Sequence, residues 1–329
     1  MENNIASKNM NSDGSDPCMS SDILVHVGLH KTGTTWLQWE LFEPQDKGAL
    51  DYCNTRDLIR GTIVVPVGPD FDVESARENF RELIKESNDS GRLFVITDEI
   101  LAGYPFHHPH LQEVSFSRIK AMFPNAKILI SVREQAQVIL SIYGQYLRFG
   151  FTSNLNRFLR QPEGYYAEVF HPVLSLEYYD YQRLFHYASK VFGEDAVMMA
   201  PLEYMMAETE EFLGRLEKHT GHKLQNVSAN RKQKIVNAAL SGQAYQLMRF
   251  LNYFYSQDSR WQFKQDGKNF LAGKVASRFD RLVPKSARQR KKEKELALVR
   301  SKLSSNFAQS NRELSLEIDV DLEKYGYQV

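Results

Sequence analysis

The chain has 329 residues, enough for one large α/β domain or two small ones. Its 41 lysines and arginines balance 41 aspartates and glutamates, so no global field draws it to nucleic acid or to an anionic membrane. Its two cysteines, Cys18 and Cys53, make neither a disulfide framework nor a metal cluster and suit a reducing cytoplasm, the expected location.

Residues 1–22, rich in Asn, Ser and Asp, lack the apolar core of a signal peptide and read as a disordered tail. A single domain is expected over 23–329, with a helical C-terminal part, and no apolar run approaches the roughly 20 residues of a membrane span. The apolar run 23–27 predicts a buried parallel strand. It empties into a loop held by Gly28 and Gly33, and Thr34 and Thr35 open a short helix that is over by Pro44. Free backbone N–H groups and the helix dipole converge there, which makes an anion site. The spacing Gly28-x4-Gly33 matches the first half of a nucleotide phosphate loop. The second half departs from it: Thr34 stands where the lysine should be, and Lys31 lies inside the loop.

Val73, Ala76, Phe80, Leu83 and Ile84 recur at helical spacing, then Leu93–Thr97 predicts a second buried strand, ended by Asp98 and Glu99. His107, His108 and His110 follow in a Pro-rich loop, a possible acceptor wall; with no carboxylate or cysteine at ligand spacing, no metal is expected. Lys127–Val132 predicts a third strand, announced by Pro124 and Asn125, with Arg133 at its end and a helix over 134–149. Further on come a helix over 175–191, a strand over 196–200, a helix over 207–220 that meets Gly221, and a helix over 232–255. Asn226-Val-Ser matches a glycosylation acceptor by chance, there being no secretion signal. Four buried strands separated by helices predict an α/β fold with a parallel sheet covered on both faces, and ligands at the strands' carboxyl ends, where Lys31, Asp98, Glu99 and Arg133 fall. The basic segment 285–294 reads as the solvated face of a long helix, with a basic lobe over the nucleotide as the alternative.

The string Lys31-Thr32-Gly33-Thr34-Thr35-Trp36 closely resembles the 5′-phosphosulfate loop of the sulfotransferases that use 3′-phosphoadenosine 5′-phosphosulfate (PAPS). Arg133 at a strand end, with Ser141 eight positions on, resembles the same family's 3′-phosphate element. A guanidinium can grip a phosphate through two parallel N–H bonds, and a hydroxyl adds another donor. More diffuse likeness to bacterial and carbohydrate-type sulfotransferases runs through Glu177 to Tyr181, Met198 to Tyr204, Val236 to Ser241, Ser310 to Leu314 and Tyr325 to Tyr327. The resemblance implies a three-layer, P-loop-like sandwich, PAPS as donor co-substrate without a metal, and in-line sulfuryl transfer to a hydroxyl or amine of a small-molecule, glycan or lipid-linked acceptor.

It also implies roles. Lys31 stabilises the charge that builds on the bridging oxygen. The amides of residues 31–35 and the hydroxyls of Thr34 and Thr35 hold the 5′-phosphate, and Trp36 stacks on the adenine or is simply a core aromatic. The acceptor must lose a proton, and the local text Ile96 to Leu101 resembles the bacterial variant whose base is a glutamate, so Glu99 is preferred over Asp98, with His30 the runner-up. Aromatics crowd 143–187, fit either to stack on an acceptor or to form core. Two other classes compete: a P-loop nucleotide kinase, which should carry its lysine after Gly33, and a non-catalytic nucleotide-binding protein of the same fold.

Overall fold

The computed structural model of the protein describes residues 16–42, 50–53, 56–66, 68–105, 111–160, 174–224, 240–255, 267–303 and 306–329. Strands β1 (Ile23–Gly28), β2 (Leu50–Cys53), β3 (Leu93–Thr97), β4 (Lys127–Val132) and β5 (Val197–Pro201) form one all-parallel sheet in the order β2-β3-β1-β4-β5. Every residue of β1 and β3 is buried, which is why both read as continuous apolar runs and not as alternating ones. β1 is central. The chain moves to one side of it through β2 and β3, then crosses to the other through β4 and β5, and such a reversal opens a crevice at the carboxyl ends of the strands.

β2 is the strand the sequence reading missed. It is four residues long, sits at the sheet edge, and its middle residues Asp51 and Tyr52 are only half buried. An edge strand needs no apolar run, and Asp51 reaches out to pair with Arg92 at 3.0 Å.

Helices flank the sheet. α1 (Thr34–Trp36) continues as a π-helical stretch, Leu37–Phe42, and α2 (Arg56–Ile59) as another, Arg60–Val64. α3 (Val73–Asp89) starts where the Asp72 carboxylate accepts the Ser75 N–H at 2.7 Å; its apolar face buries Ala76, Phe80 and Ile84. α4 (Leu111–Met122), α5 (Gln135–Arg148) and α6 (Leu155–Phe158) follow. The helix expected over 175–191 is divided: a 3-10 turn (Glu177–Tyr179) precedes α7 (Tyr181–Phe192), because the Asp180 side chain caps α7 by accepting the Arg183 N–H. The one expected over 207–220 is α9 (Thr209–Thr220), preceded by a separate α8 (Leu202–Ala207), and Gly221 ends it at φ 76° as predicted. The C-terminal part is helical: α10 (Gly242–Tyr255), α11 (Gly267–Asp280), α12 (Lys285–Leu303) and α13 (Ala308–Glu317). The basic segment 285–294 opens α12.

One reading changes and one open alternative is decided for the described residues. Residues 16–22, assigned to the tail, are packed down: Cys18 is fully buried and Asp16 pairs with Arg81 of α3 at 3.3 Å. The aromatics of 143–187 that the structure describes are largely core: Tyr143, Tyr146, Tyr178, Tyr179 and Tyr181 are buried, and Tyr146 stacks on Phe151 with centroids 4.4 Å apart. Phe149 is exposed. Residues 1–15, Pro44, His107, His108, His110, Tyr165, Tyr166, Phe170, Asn226 and the first part of the 232–255 helix lie outside the described residues.

Candidate functional site

The loop after β1 can form only because two positions lack a side chain. A Cβ on Gly28 would lie 2.5 Å from Thr34 Oγ1 and 2.9 Å from Ser131 Oγ. Gly33 caps α1 in the left-handed region, φ 85°, and a Cβ there would run into Leu202. Lys31 also has positive φ, 68°, shared among the described non-glycine residues only with Asp319. A lysine in this region is strained and needs its surroundings to hold it. Arg133 Nη1 does so by donating to the Lys31 carbonyl at 3.3 Å.

A buried polar chain lies under the loop. Thr32 Oγ1 donates to the Leu29 carbonyl at 2.6 Å, which uses its single proton. Ser131 Oγ, 3.1 Å away, must then donate to Thr32, so it accepts from His26 Nε2 at 2.9 Å. His26 Nδ1 is left to accept from Thr97 Oγ1 at 2.8 Å, and Thr97 accepts from Gln38 Nε2 at 3.4 Å. Every proton is placed by a neutral His26 carrying hydrogen on Nε2. Complete burial agrees, pushing the imidazole down to about 3. This chain spans β1, β3, β4, the π-helical stretch after α1 and the loop, and sequence reasoning missed it. Its one signal was a histidine inside an otherwise apolar strand.

Thr32 is therefore committed inward, and only its backbone faces the loop. Thr34 is different: its hydroxyl oxygen is buried without a hydrogen-bond partner. Thr35 and Trp36 are half buried in the first helical turn, Trp36 packing on the core.

The neighbouring acids at the end of β3 have opposite surroundings. Asp98 is 2% exposed and fully engaged: it accepts Arg60 Nε at 2.8 Å, Arg60 Nη2 at 3.0 Å and the Ile100 N–H at 3.0 Å. Glu99 opens the 3-10 turn Glu99–Ala102 and keeps a third of its side chain in solvent. Its Oε1 stands 4.0 Å from His30 Nδ1. His30 is buried edge-on to Tyr104, centroids 5.0 Å apart, and its Nε2 has no hydrogen-bond partner. Burial holds His30 below the ordinary histidine value against the opposing pull of Glu99 and the Gly103 carbonyl, with Lys31 adding to the lowering. Lys31 is exposed at its tip, yet the protein around it lowers its ammonium; Glu99 opposes that, while Arg148 and Arg133 reinforce it. Lys31, His30 and Glu99 thus act on one another, and Asp98 belongs to a separate, structural contact with Arg60.

Arg133 sits at the end of β4, adjacent to the loop. Its Nη2 donates to Gln137 Oε1 at 3.2 Å, its Nε lies 3.8 Å from Glu203 Oε1, and that Nε is buried without a hydrogen bond. Glu203, from α8, is held above the ordinary glutamate value by burial, with Arg133 opposing. It also accepts the Tyr327 hydroxyl at 3.3 Å and the Glu134 N–H at 3.3 Å. Glu134 caps α5 and faces Arg300 of α12 at 3.4 Å. The C-terminal segment therefore braces Arg133 from behind. Ser141 is half buried on α5, just over two turns beyond Arg133.

Three buried polar atoms thus lack partners around one loop: His30 Nε2, Thr34 Oγ1 and Arg133 Nε. A buried donor left without a partner costs about 1–3 kcal/mol, and a ligand oxygen satisfies it. Together with the cations Lys31 and Arg133 they fit an anionic group. Among the described residues no cluster of histidine, cysteine or carboxylate suits a metal, and no helix is long and apolar enough to cross a membrane.

No family model matches the chain, and no curated protein matches it. Among solved structures, it is similar to the crystal structure of a sulfotransferase from Alicyclobacillus acidocaldarius, at 15% identity and a TM-score of 0.50, over 92% of this chain and 97% of that one. At that identity the likeness establishes a shared fold: the parallel sheet flanked by helices is that of a P-loop-like α/β protein.

Proposed function

We propose that the protein is a sulfotransferase that takes PAPS as donor and a hydroxyl or amine of a small-molecule, glycan or lipid-linked molecule as acceptor. The observation that carries this reading is the pair of buried atoms without a hydrogen bond, Thr34 Oγ1 after β1 and Arg133 Nε after the neighbouring β4, around a loop that holds its lysine inside. The shared fold supports it. A kinase reading has no such support, because Thr34, buried, fills the position of the kinase lysine.

When bound, PAPS supplies an activated sulfuryl group whose transfer leaves adenosine 3′,5′-bisphosphate. The loop amides of 31–35 and the Thr34 and Thr35 hydroxyls hold the 5′-phosphate, with the dipole of α1 behind them. Arg133 and Ser141 hold the 3′-phosphate, and Trp36 borders the adenine. Lys31, kept at the loop apex by its left-handed backbone, presents its ammonium where leaving-group charge develops. Glu99 takes the acceptor proton. Its carboxylate is part exposed, stands 4.0 Å from His30 and acts on the Lys31 ammonium, whereas Asp98 is consumed by Arg60. His30 lines the same side as a neutral donor or acceptor.

Titration calorimetry without Mg²⁺ tests the reading. Adenosine 3′,5′-bisphosphate should bind at least tenfold tighter than AMP, and Arg133→Ala should abolish the difference. Equal affinity for the two nucleotides would remove the reading. Incubation with PAPS and a cell extract should then give a product heavier by one sulfuryl group, which names the acceptor.

A further inference from the structure

The chain has zero net charge, but the charge is not spread evenly. Residues 267–303 hold twelve lysines and arginines against three acidic residues, a formal +9 that the rest of the chain offsets. Among the described residues of this segment, Arg288 pairs with Asp280, Lys291 with Glu295 and Arg300 with Glu134.

The same region carries the main exposed apolar surface. α10 and α11 run antiparallel, since the Ser241 N–H ahead of α10 binds Asp280 at the end of α11 at 2.9 Å. Fully buried Ala244, Ala272 and Ala276 let them pack closely. Their outer faces stay apolar: Phe250 (58% exposed), Tyr253 and Phe254 (63%) on α10, and Leu271 (47%), Val275 (38%) and Phe279 (39%) on α11, continued by Leu282 (79%) in the turn after it. These are seven of the fourteen large hydrophobic residues exposed among the described residues, gathered on one helix pair. Patches of this kind mark interaction sites.

The arrangement selects the partner. On α11 the apolar residues 271, 275 and 279 follow i, i+4 spacing and form one stripe. Exposed Lys274 and Arg278 form a second row, each one residue before its apolar neighbour, and Arg281 and Lys285 extend it past the helix end. An apolar stripe with cations alongside is the pattern of a helix lying in a lipid interface: the stripe enters the acyl boundary by about 5–10 Å while long basic side chains stay at the headgroups. A nucleic acid would neutralise the cations but leave Leu271, Val275 and Phe279 facing water. A second copy would bring two faces of like charge together.

We infer that the outer face of α10 and α11 docks the protein, reversibly, on an anionic lipid surface. This rests on charge and exposure outside the loop after β1 and is independent of the sulfotransferase reading.

Flotation of the full chain with vesicles tests it. The protein should float with phosphatidylcholine vesicles containing about a third phosphatidylglycerol, and not with phosphatidylcholine alone. Each cation near such a surface contributes about fivefold, so the triple variant Arg278→Gln, Arg281→Gln, Lys285→Gln should weaken partition about a hundredfold. The triple variant Leu271→Ser, Val275→Ser, Phe279→Ser keeps the charge and should lose binding as well. A fluorophore on Leu282→Cys, in the exposed turn that continues the stripe, should shift to the blue on anionic vesicles; Cys18 and Cys53 are buried and leave the label selective. That readout also decides the matter if the serine variant does not fold. No flotation with anionic vesicles, no blue shift, or full binding by a folded serine variant would overturn the proposal. So would a solution dimer that the serine variant dissociates, or oligonucleotide binding that outcompetes vesicles and survives it.

Discussion

At the carboxyl edge of the sheet, polar side chains lie inside the protein and are saturated; on α10 and α11, apolar side chains lie outside and face water. Gln38, Thr97, His26, Ser131 and Thr32 form a buried chain in which each hydroxyl proton and the imidazole proton has an acceptor. Phe250, Tyr253, Phe254 and Leu271 have no such cover. The first region shows a loop built to stay still, because a saturated low-dielectric network resists rearrangement. The second shows surface that folding alone did not require, since exposed apolar residues gain nothing from the core. Between them stand the few atoms that are buried and unsatisfied, and they surround the anion loop.

The largest expected effect separates the two acids of that edge. Glu99→Gln should lower kcat by about 10²–10⁴ with nucleotide affinity unchanged, as for loss of a general base. Asp98→Asn should act on stability, because it weakens the contact to Arg60. Steady-state rates and urea unfolding of both variants check this, and a fully active Glu99→Gln protein would end the division of labour.

Lys31→Ala should cut turnover by about 10²–10³ in a folded protein, the range for losing one preorganised charge. Its backbone cost is separate: Lys31→Gly, which relieves φ 68°, should be equally inactive but not less stable in thermal unfolding.

His26 tests the saturated network. Its value is lowered to about 3, so between that pH and the ordinary 6.5 the unfolded chain binds the extra proton. The stabilisation is therefore complete above about 6.5 and fades as pH falls. Between pH 7 and 4.5 the loss should be roughly 2 kcal/mol in denaturant unfolding. His26→Gln should reduce the overall slope by about half, leaving a comparable one of the same sign from His219, which burial lowers to about 4. The smallest effect belongs to the outer helices: serine in place of Leu282, which is 79% exposed, should change stability by no more than about 0.5 kcal/mol in water, because most of its side chain already faces solvent.

Much of the fold was legible because parallel strands advertise themselves. β1, β3, β4 and β5 are buried runs between helical periods, and Gly33 and Gly221 mark helix ends by their own chemistry. β2 was not legible, since an edge strand of four residues carries no run. At the site, the loop lysine and glycines could be read directly from spacing. The partners could not: Arg60 reaches Asp98 across 38 positions, His26 reaches Ser131 across 105, and Arg300 reaches Glu134 across 166.

The sequence by itself determined the alternation of buried strands and helices, the anion loop after the first strand, and which charged residues fall at strand ends. Those properties are local, set by hydrophobic periodicity, glycine's missing Cβ and the N–H groups of a helix start. Only the tertiary structure decided which of two adjacent carboxylates is tied to an arginine and which stands beside His30, that the tyrosines of α5 and α7 are core, and that α10 and α11 leave an apolar face beside a basic row. Those outcomes depend on what each side chain meets from distant parts of the chain, and burial with or without a partner is a property of the packed molecule and not of the residue.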